Sequence, residues 1–165
     1  MFRTIVVGTD GSATAGEAVR RAAALAAAFG ADLHVVNAYK PPAIVMATTA
    51  EPGLMPSAVV EWEAAARDDS RRLLDTVAGE LIGVGASVTT WAMPTHPATA
   101  IISVAEAVEA DLVVVGNRGM QGKRRVLGSV PNHISHHAAC DVLVVDTVGA
   151  SRPPAMAAAP PVVKA

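Results

Sequence analysis

The residues best suited to chemistry lie in one stretch of the chain, Asp111 to Pro131, which reads DLVVVGNRGMQGKRRVLGSVP. A short apolar run, Leu112 to Val115, leads into three glycines, then the cations Lys123 to Arg125, then Gly128 and Ser129. Glycines let a backbone approach a ligand closely and adopt positive φ angles. The free N–H groups at a helix N-terminus favour an anion. The pattern therefore predicts a loop that binds the phosphate of a small molecule.

A second candidate loop, Gly8 to Ser12 (GTDGS), follows the first apolar run of the chain, Thr4 to Val7. Its carboxylate, Asp10, is suited to accept hydrogen bonds from ribose hydroxyls. Asp10 is also suited to cap the next helix, because Asp and Ser are preferred cap residues. Both roles stay open, since a carboxylate has two oxygens.

The glycine loop differs from the P-loop of nucleoside triphosphatases. Gly116 and Gly122 are separated by five residues rather than four, and Lys123 is followed by Arg124 rather than by Ser or Thr. The hydroxyl that would bind Mg²⁺ is therefore missing. The first strand is also not followed by G-x-G-x-x-G, which disfavours a dinucleotide cofactor.

The elements that must position these loops alternate along the chain. Short apolar runs predict five strands, and amphipathic patterns between them predict four helices. The alternation predicts an α/β fold with a doubly wound parallel sheet of five strands in the order 3-2-1-4-5. In that order both loops leave the sheet between strands 1 and 4, where ligands bind in open α/β sheets. The predicted strands are Thr4 to Val7, Asp32 to Ala38, Ala86 to Ala92, Leu112 to Val115 and Val142 to Val145; the predicted helices are Ala13 to Phe29, Ser57 to Ile82, Pro97 to Glu109 and Ser129 to Ala138.

Composition narrows the class of partner. The chain has 165 residues, a net charge of −2, 3% aromatic residues and one cysteine. These values favour a cytoplasmic protein and disfavour a nucleic-acid binder or a disulfide framework. No apolar run approaches the roughly 18 to 20 residues that cross a membrane. We expect residues 1–147 to form the folded domain, residues 40–56 a lid and residues 148–165 a flexible tail rich in Pro and Ala.

The last predicted helix carries several side chains that bind metals in other proteins. His133, His137 and Cys140 would share one face of it. Four well-placed ligands are not visible, so no metal site is predicted, and Cys140 is interpreted as a small buried residue. Trp62 and Trp91 are interpreted as packing residues.

Three motifs resemble the universal stress protein family: GTDGS after the first strand, DLVVVGNRG after the third helix and LGSVPNHI at the fourth helix. The resemblance covers Met1 to about Thr147. It implies a fold like that of the adenine nucleotide alpha hydrolases. The family's phosphate motif is matched by Gly116 to Gly119 and by Gly128-Ser129, with eight residues between Gly119 and Gly128 where the family has nine. The number of phosphates therefore stays open.

The resemblance also implies a role for each residue of the site. Adenine would lie near Ala38, Val115 and the backbone of Thr9, and ribose would contact Asp10 and Gly116. The phosphates would be held by Arg118, Gly119, Gly128, Ser129 and the N–H group of Val130. Gly8 and Pro131 would complete the set of binding residues.

On this resemblance the protein would bind ATP, with AMP or cyclic AMP as alternatives and Mg²⁺ as an optional companion of ATP. It would act as a sensor or regulator in the stress response, as a homodimer paired through strand 142–146. Two other functions stay open: a slow ATPase or self-phosphorylating enzyme with Ser129 as acceptor, and an interaction module with an empty site. No catalytic residue is predicted, because paired carboxylates and a base-activated nucleophile are not visible.

Overall fold

A single parallel sheet organises residues 1–39, 57–117 and 129–147, the part of the chain that the structure, a computed structural model, describes. The strands are β1 (Thr4–Gly8), β2 (Asp32–Ala38), β3 (Val88–Met93), β4 (Leu112–Gly116) and β5 (Asp141–Val145), and the helices are α1 (Ala13–Phe29), α2 (Ser57–Glu80), α3 (Pro97–Ala107) and α4 (Ser129–His137). All strand pairs are parallel, in the order β3-β2-β1-β4-β5. The predicted fold class and strand order are confirmed.

Alternate residues of the central strands face two separate cores. Ile5 and Val7 of β1 pack with α1 and α2 on one face of the sheet, whereas Val6 packs with α3 and α4 on the other. In β4, Val114 faces the first core and Val113 faces the second. All five side chains are fully buried. This burial on both faces explains the unbroken apolar runs of these strands.

Small side chains let α1 lie close to the sheet. Ala18 and Ala22 are buried, and the helix ends at Gly30 in the left-handed conformation (φ 64°). Phe29, the last residue of the helix, is 39% exposed. It lies beyond the start of β1 and packs edge-on against Phe2, with ring centroids 5.4 Å apart.

Over residues 60–80, the long helix α2 buries only positions from Ser70 onward. Leu74 and Val77 are buried, but Val60 and Trp62 are 58% and 49% exposed, so the packing role predicted for Trp62 is wrong. The physical reason is length: 24 residues of helix span about 36 Å, against about 23 Å for a seven-residue strand. Trp91 does pack, as predicted, against the core under α3 and α4.

At the end of the sheet where the strands begin, backbone N–H groups donate hydrogen bonds to a carboxylate. The carboxylate of Asp111 accepts from the backbone N–H groups of Arg3 and Thr4, at 2.7 and 3.0 Å. These two donors hold the pKa of Asp111 below its usual value. This edge therefore has a carboxylate that is satisfied by the backbone of β1 and the residue before it.

Three predicted features lie outside the described residues: the lid at 40–56, the glycine loop from 118 to 128 and the tail at 148–165. Within the ranges that are described, none of the helices combines the length and the apolar character that crossing a bilayer requires.

Candidate functional site

A cavity of about 250 Å³ opens at the carboxyl edge of the sheet, where β1 and β4 are neighbours. Both strands run one residue further than predicted, to Gly8 and Gly116, and both glycines line the cavity. The beginnings of α1, α3 and α4 complete its walls. The lining residues are Gly8, Thr9, Asp10, Ser12, Thr14, Ala15, Val36, Ala38, Pro97, Ile101, Val115, Gly116, Ser129, Val130 and Pro131.

One wall of the cavity is apolar. It is formed by Val36 and Ala38 of β2, Val115 of β4 and Ile101 of α3. A Cβ atom at Gly8 would clash with the side chain of Ile101, so glycine lets α3 lie against the end of β1. An apolar wall of this kind suits the face of a flat ring.

The loop after β1 uses its backbone donors within the protein. Thr9 donates its N–H to the carbonyl of Val36 (2.9 Å), Gly11 to Oγ1 of Thr9 (3.2 Å), and Ser12 to Oδ1 of Asp10 (3.0 Å). Gly11 has a φ of 76°, a left-handed conformation that glycine adopts without strain. These three N–H groups are therefore unavailable to a bound anion.

Asp10 does not cap α1. The N-cap is Ser12, whose Oγ accepts from the N–H of Ala15 at 3.3 Å. Asp10 instead accepts from Ser12 itself, and its side chain is exposed at the cavity. Of the two roles left open for Asp10, capping is wrong, because the hydroxyl two residues later occupies the cap position.

Two successive hydrogen bonds between buried polar groups attach the same loop to the core of the protein. Asn37 of β2 donates from Nδ2 to the carbonyl of Thr9 (2.7 Å), and Ser70 of α2 donates from Oγ to Oδ1 of Asn37 (2.6 Å). All three residues are buried. A buried amide is tolerated when its donor and acceptor are both satisfied. The Thr9–Asp10 peptide is thus attached to both β2 and α2.

Asn117 ties the end of β4 to the residues after β5. Its N–H donates to the carbonyl of Val145 and its Nδ2 to Asp146, while its Oδ1 accepts from the N–H and the hydroxyl of Thr147, all at 2.9 Å. A Cβ atom at Gly116 would come within 3.1 Å of the Thr147 methyl group. Glycine therefore allows this close approach at the mouth of the cavity.

The start of α4 presents backbone donors. The first N–H groups of a helix have no partner inside the helix, and the aligned peptides make this end partly positive. Ser129 is exposed and Val130 is half-buried, and both line the cavity. Pro131 lacks an N–H and is buried beside them. An anion in the cavity would find its donors here.

The sequence matches the model of the universal stress protein family over residues 1–146. The chain belongs to this family. A universal stress protein of Mycobacterium tuberculosis strain H37Rv is 32% identical over 155 residues, covering 88% of this chain and 97% of that protein. A universal stress protein of Thermus aquaticus is 33% identical over 146 residues, covering 88% of this chain and 99% of that protein.

Solved structures show the same similarity. A universal stress protein crystallised in complex with cyclic AMP is 32% identical, with a TM-score of 0.65, covering 88% of this chain and 98% of that one. The universal stress protein UspA from Lactobacillus plantarum is 23% identical, with a TM-score of 0.70 over 87% of this chain and 97% of that one, and supports the fold alone. The family membership that the three motifs predicted is thus confirmed.

The structure brings together most of the residues that the family resemblance selects. Arg118, Gly119 and Gly128 lie outside the described residues, as do the three cations at 123–125. The roles of all these residues as nucleotide ligands stay predictions. The nine that line the cavity are Gly8, Thr9, Asp10, Ala38, Val115, Gly116, Ser129, Val130 and Pro131.

Six further lining residues were not assigned to the site from the sequence: Ser12, Thr14, Ala15, Val36, Pro97 and Ile101. Period-two alternation could have found Val36, because it shares a strand face with Ala38. Pro97 and Ile101 are one turn apart on α3. Their place at the cavity depends on α3 packing over β1, which no local pattern reports.

The histidines of α4 form a pair rather than a larger cluster. The rings of His133 and His137 stack with centroids 4.2 Å apart, and Nδ1 of His137 lies 2.8 Å from the carbonyl of His133. Within the described ranges, no three His, Cys, Asp or Glu side chains are grouped to hold a metal ion. Cys140 is only partly buried, and this burial raises the pKa of its thiol.

Proposed function

We propose that this protein binds an adenine nucleotide, with ATP as the preferred ligand, in the cavity at the carboxyl edge of the sheet. The observation that carries the proposal is that an apolar wall, an exposed carboxylate and a helix start line one cavity. The base would lie against Ala38 and Val115, the ribose at Asp10 and the phosphates at Ser129 and Val130.

The charges of the two loops support this orientation. Asp10 would repel a phosphate but accept hydrogen bonds from ribose hydroxyls. The backbone donors of Thr9, Gly11 and Ser12 are already used within the protein. The start of α4 has both the donors and the favourable sign of potential for phosphate.

The relative crystallised with cyclic AMP supports the class of ligand, because it is 32% identical over nearly its whole length. AMP and cyclic AMP are accordingly the alternatives to ATP, and Mg²⁺ would accompany ATP. The glycine loop at residues 118–128 would set the number of phosphates that fit.

The protein would act in the cytoplasm as a sensor or regulator of the stress response. A ligand that binds one arrangement of the loops better than another shifts the population towards it, and a partner protein can read that shift. The alternative is slow ATP hydrolysis or self-phosphorylation. Incubation with labelled ATP tests it: hydrolysis releases labelled phosphate, and self-phosphorylation leaves labelled phosphate on the protein.

A homodimer paired along β5 is part of the proposal. β5 is an edge strand of the sheet, and its Leu143 is 38% exposed. An edge strand presents a row of backbone groups that a second copy can pair with symmetrically. Leu143→Asp should shift the protein to monomer in sedimentation velocity. Thr89→Asp, on the opposite edge strand β3, is the matched control and should leave the mass unchanged.

Calorimetric titration with ATP, AMP, cyclic AMP and GTP tests the ligand. Asp10→Asn should weaken every adenine ligand by about tenfold, because a hydrogen bond from ribose to a charged acceptor is lost. The new amide keeps the oxygen that accepts from Ser12. Asp32→Asn, at the amino end of β2, is the matched control and should bind normally. Absence of heat with all the adenine ligands in the unaltered chain would overturn the proposal.

A further inference from the structure

The first turn of α1 places a pair of hydroxyl groups in the cavity. Oγ of Ser12 lies 3.0 Å from Oγ1 of Thr14, and both residues line the cavity. Ser12 also accepts the N–H of Ala15 as the N-cap of the helix. Neither hydroxyl belongs to the set of residues that the family resemblance selects.

The hydroxyl pair has one O–H proton more than its internal hydrogen bond uses. The two hydroxyls carry two O–H protons, and only one of them is used in the contact between the oxygens, whichever residue donates. Within residues 1–39, 57–117 and 129–147, neither hydroxyl donates to any further acceptor. The other proton is therefore available to a ligand in the cavity.

The position of Thr14 indicates which part of a ligand would receive this proton. The Thr14 carbonyl would lie 3.6 Å from a Cβ atom at Gly116, so Thr14 stands beside the strand end from which the glycine loop departs. Asp10, on the other side of Ser12 along the chain, is the residue proposed above as the acceptor for ribose. The first turn of α1 also has the partly positive potential that favours an anion.

We propose that Thr14, acting with Ser12, donates a hydrogen bond to a phosphate oxygen of the bound nucleotide and so discriminates adenosine phosphates from adenosine. This inference rests on the proposed function, because it assigns a donor within the same cavity. It adds the first turn of α1 to the phosphate contacts that are proposed at the start of α4.

Titration of adenosine, AMP and ATP against Thr14→Val and Thr14→Ser tests the proposal. Valine keeps the shape of threonine and removes the hydroxyl, whereas serine keeps the hydroxyl. Thr14→Val should bind AMP and ATP about tenfold more weakly, the effect of losing a hydrogen bond to a charged group, and should bind adenosine as the unaltered chain does. Thr14→Ser should restore the affinity for AMP and ATP.

Two results would overturn the proposal: an equal loss for adenosine and AMP, or no loss for any ligand. Thermal unfolding of each variant shows whether the fold is kept, and Thr14→Ala provides a second hydroxyl deletion if the valine variant is unstable. Failure of the unaltered chain to bind any adenine ligand would overturn the proposed function as well. Normal binding by Thr14→Val would overturn only the role of Thr14.

Discussion

Two segments meet at the carboxyl edge of the sheet and use their backbone hydrogen bonds in different ways. In the loop Gly8 to Ser12, three N–H groups donate to atoms of the protein, and the carbonyl of Thr9 accepts from Asn37. At the start of α4, the first N–H groups have no acceptor inside the helix. Both segments combine glycine with serine, yet the backbone N–H groups of Thr9, Gly11 and Ser12 are used within the protein, whereas those at the start of α4 have no acceptor inside the helix.

This contrast explains how one cavity can bind a ligand with two unlike ends. The acceptor side is attached to β2 and α2 through Asn37 and Ser70, so its geometry is set before a ligand arrives. The donor side attracts charge through the helix dipole. We therefore expect changes at the start of α4 to affect phosphate recognition alone, as proposed for the Thr14 hydroxyl, and changes at the Thr9–Asp10 peptide to affect every ligand equally.

The largest expected effect comes from a charge on the donor side. Ser129→Asp should weaken ATP binding by about 100-fold, because bringing like charges together costs several kcal/mol. Adenosine binding should be nearly unchanged. Calorimetric titration of both ligands measures the contrast.

Stability provides the control for this variant. An acidic residue in the first turn of a helix is favourable, so the free energy of unfolding of Ser129→Asp should not fall. Ser129→Ala removes the hydroxyl without adding charge and should lose far less affinity. Equal weakening of adenosine and ATP by Ser129→Asp would contradict the division between the two sides.

A change of intermediate size concerns the support of the acceptor side. Asn37→Leu should lower the free energy of unfolding by about 2 kcal/mol, because it leaves buried groups of Thr9 and Ser70 without partners. Urea denaturation measures this loss. The affinities for adenosine and ATP should fall by the same factor, since the Thr9–Asp10 peptide loses its attachment.

Ser70→Ala is the milder member of this pair, because it removes one hydrogen bond and leaves Asn37 bonded to Thr9. A selective loss of ATP affinity in Asn37→Leu would contradict the assignment of the Thr9–Asp10 peptide to the ribose.

The smallest effect is expected at the opposite edge of the sheet, where Asp111 accepts from Arg3 and Thr4. Its pKa is lower in the folded chain than in the unfolded one. Its contribution to stability is therefore complete above the unfolded pKa and is lost as pH falls through the folded pKa. As the pH falls below the unfolded pKa of this carboxyl group, Asp111→Asn should lose less stability than the unaltered chain. Its affinity for ATP at neutral pH should not change, and a changed affinity would contradict the separation of the two edges.

Much of the fold was predictable because it follows from local periodicity. Short apolar runs such as Leu112 to Val115 indicate strands buried on both faces, and their alternation with helices restricts the strand order. Errors arose where packing decided the outcome. Trp62 is apolar but lies on the part of α2 that extends past the sheet, where it is 49% exposed.

In the candidate site, too, some features were predictable from the sequence and others depended on packing. The motif GTDGS was sufficient to select the loop, but it did not decide between Asp10 and Ser12 as the cap of α1. That choice depends on backbone geometry, because only Ser12 has its side-chain oxygen within reach of the Ala15 N–H. Likewise, the sequence shows Asn37 only as one polar residue in an apolar strand. Its role depends on the tertiary structure, because it bonds both Thr9 of the loop after β1 and Ser70 of α2.

The family, the order of the elements and the edge of the sheet at which the loops emerge could be predicted from the sequence alone, because they follow from motifs and from short-range patterns of apolar residues. The tertiary structure decided which residues far apart in the chain share the cavity, as with Ile101 against Gly8 and Thr147 against Gly116. It also decided which donors are already used, since a hydrogen bond between distant residues depends on distances that only packing sets.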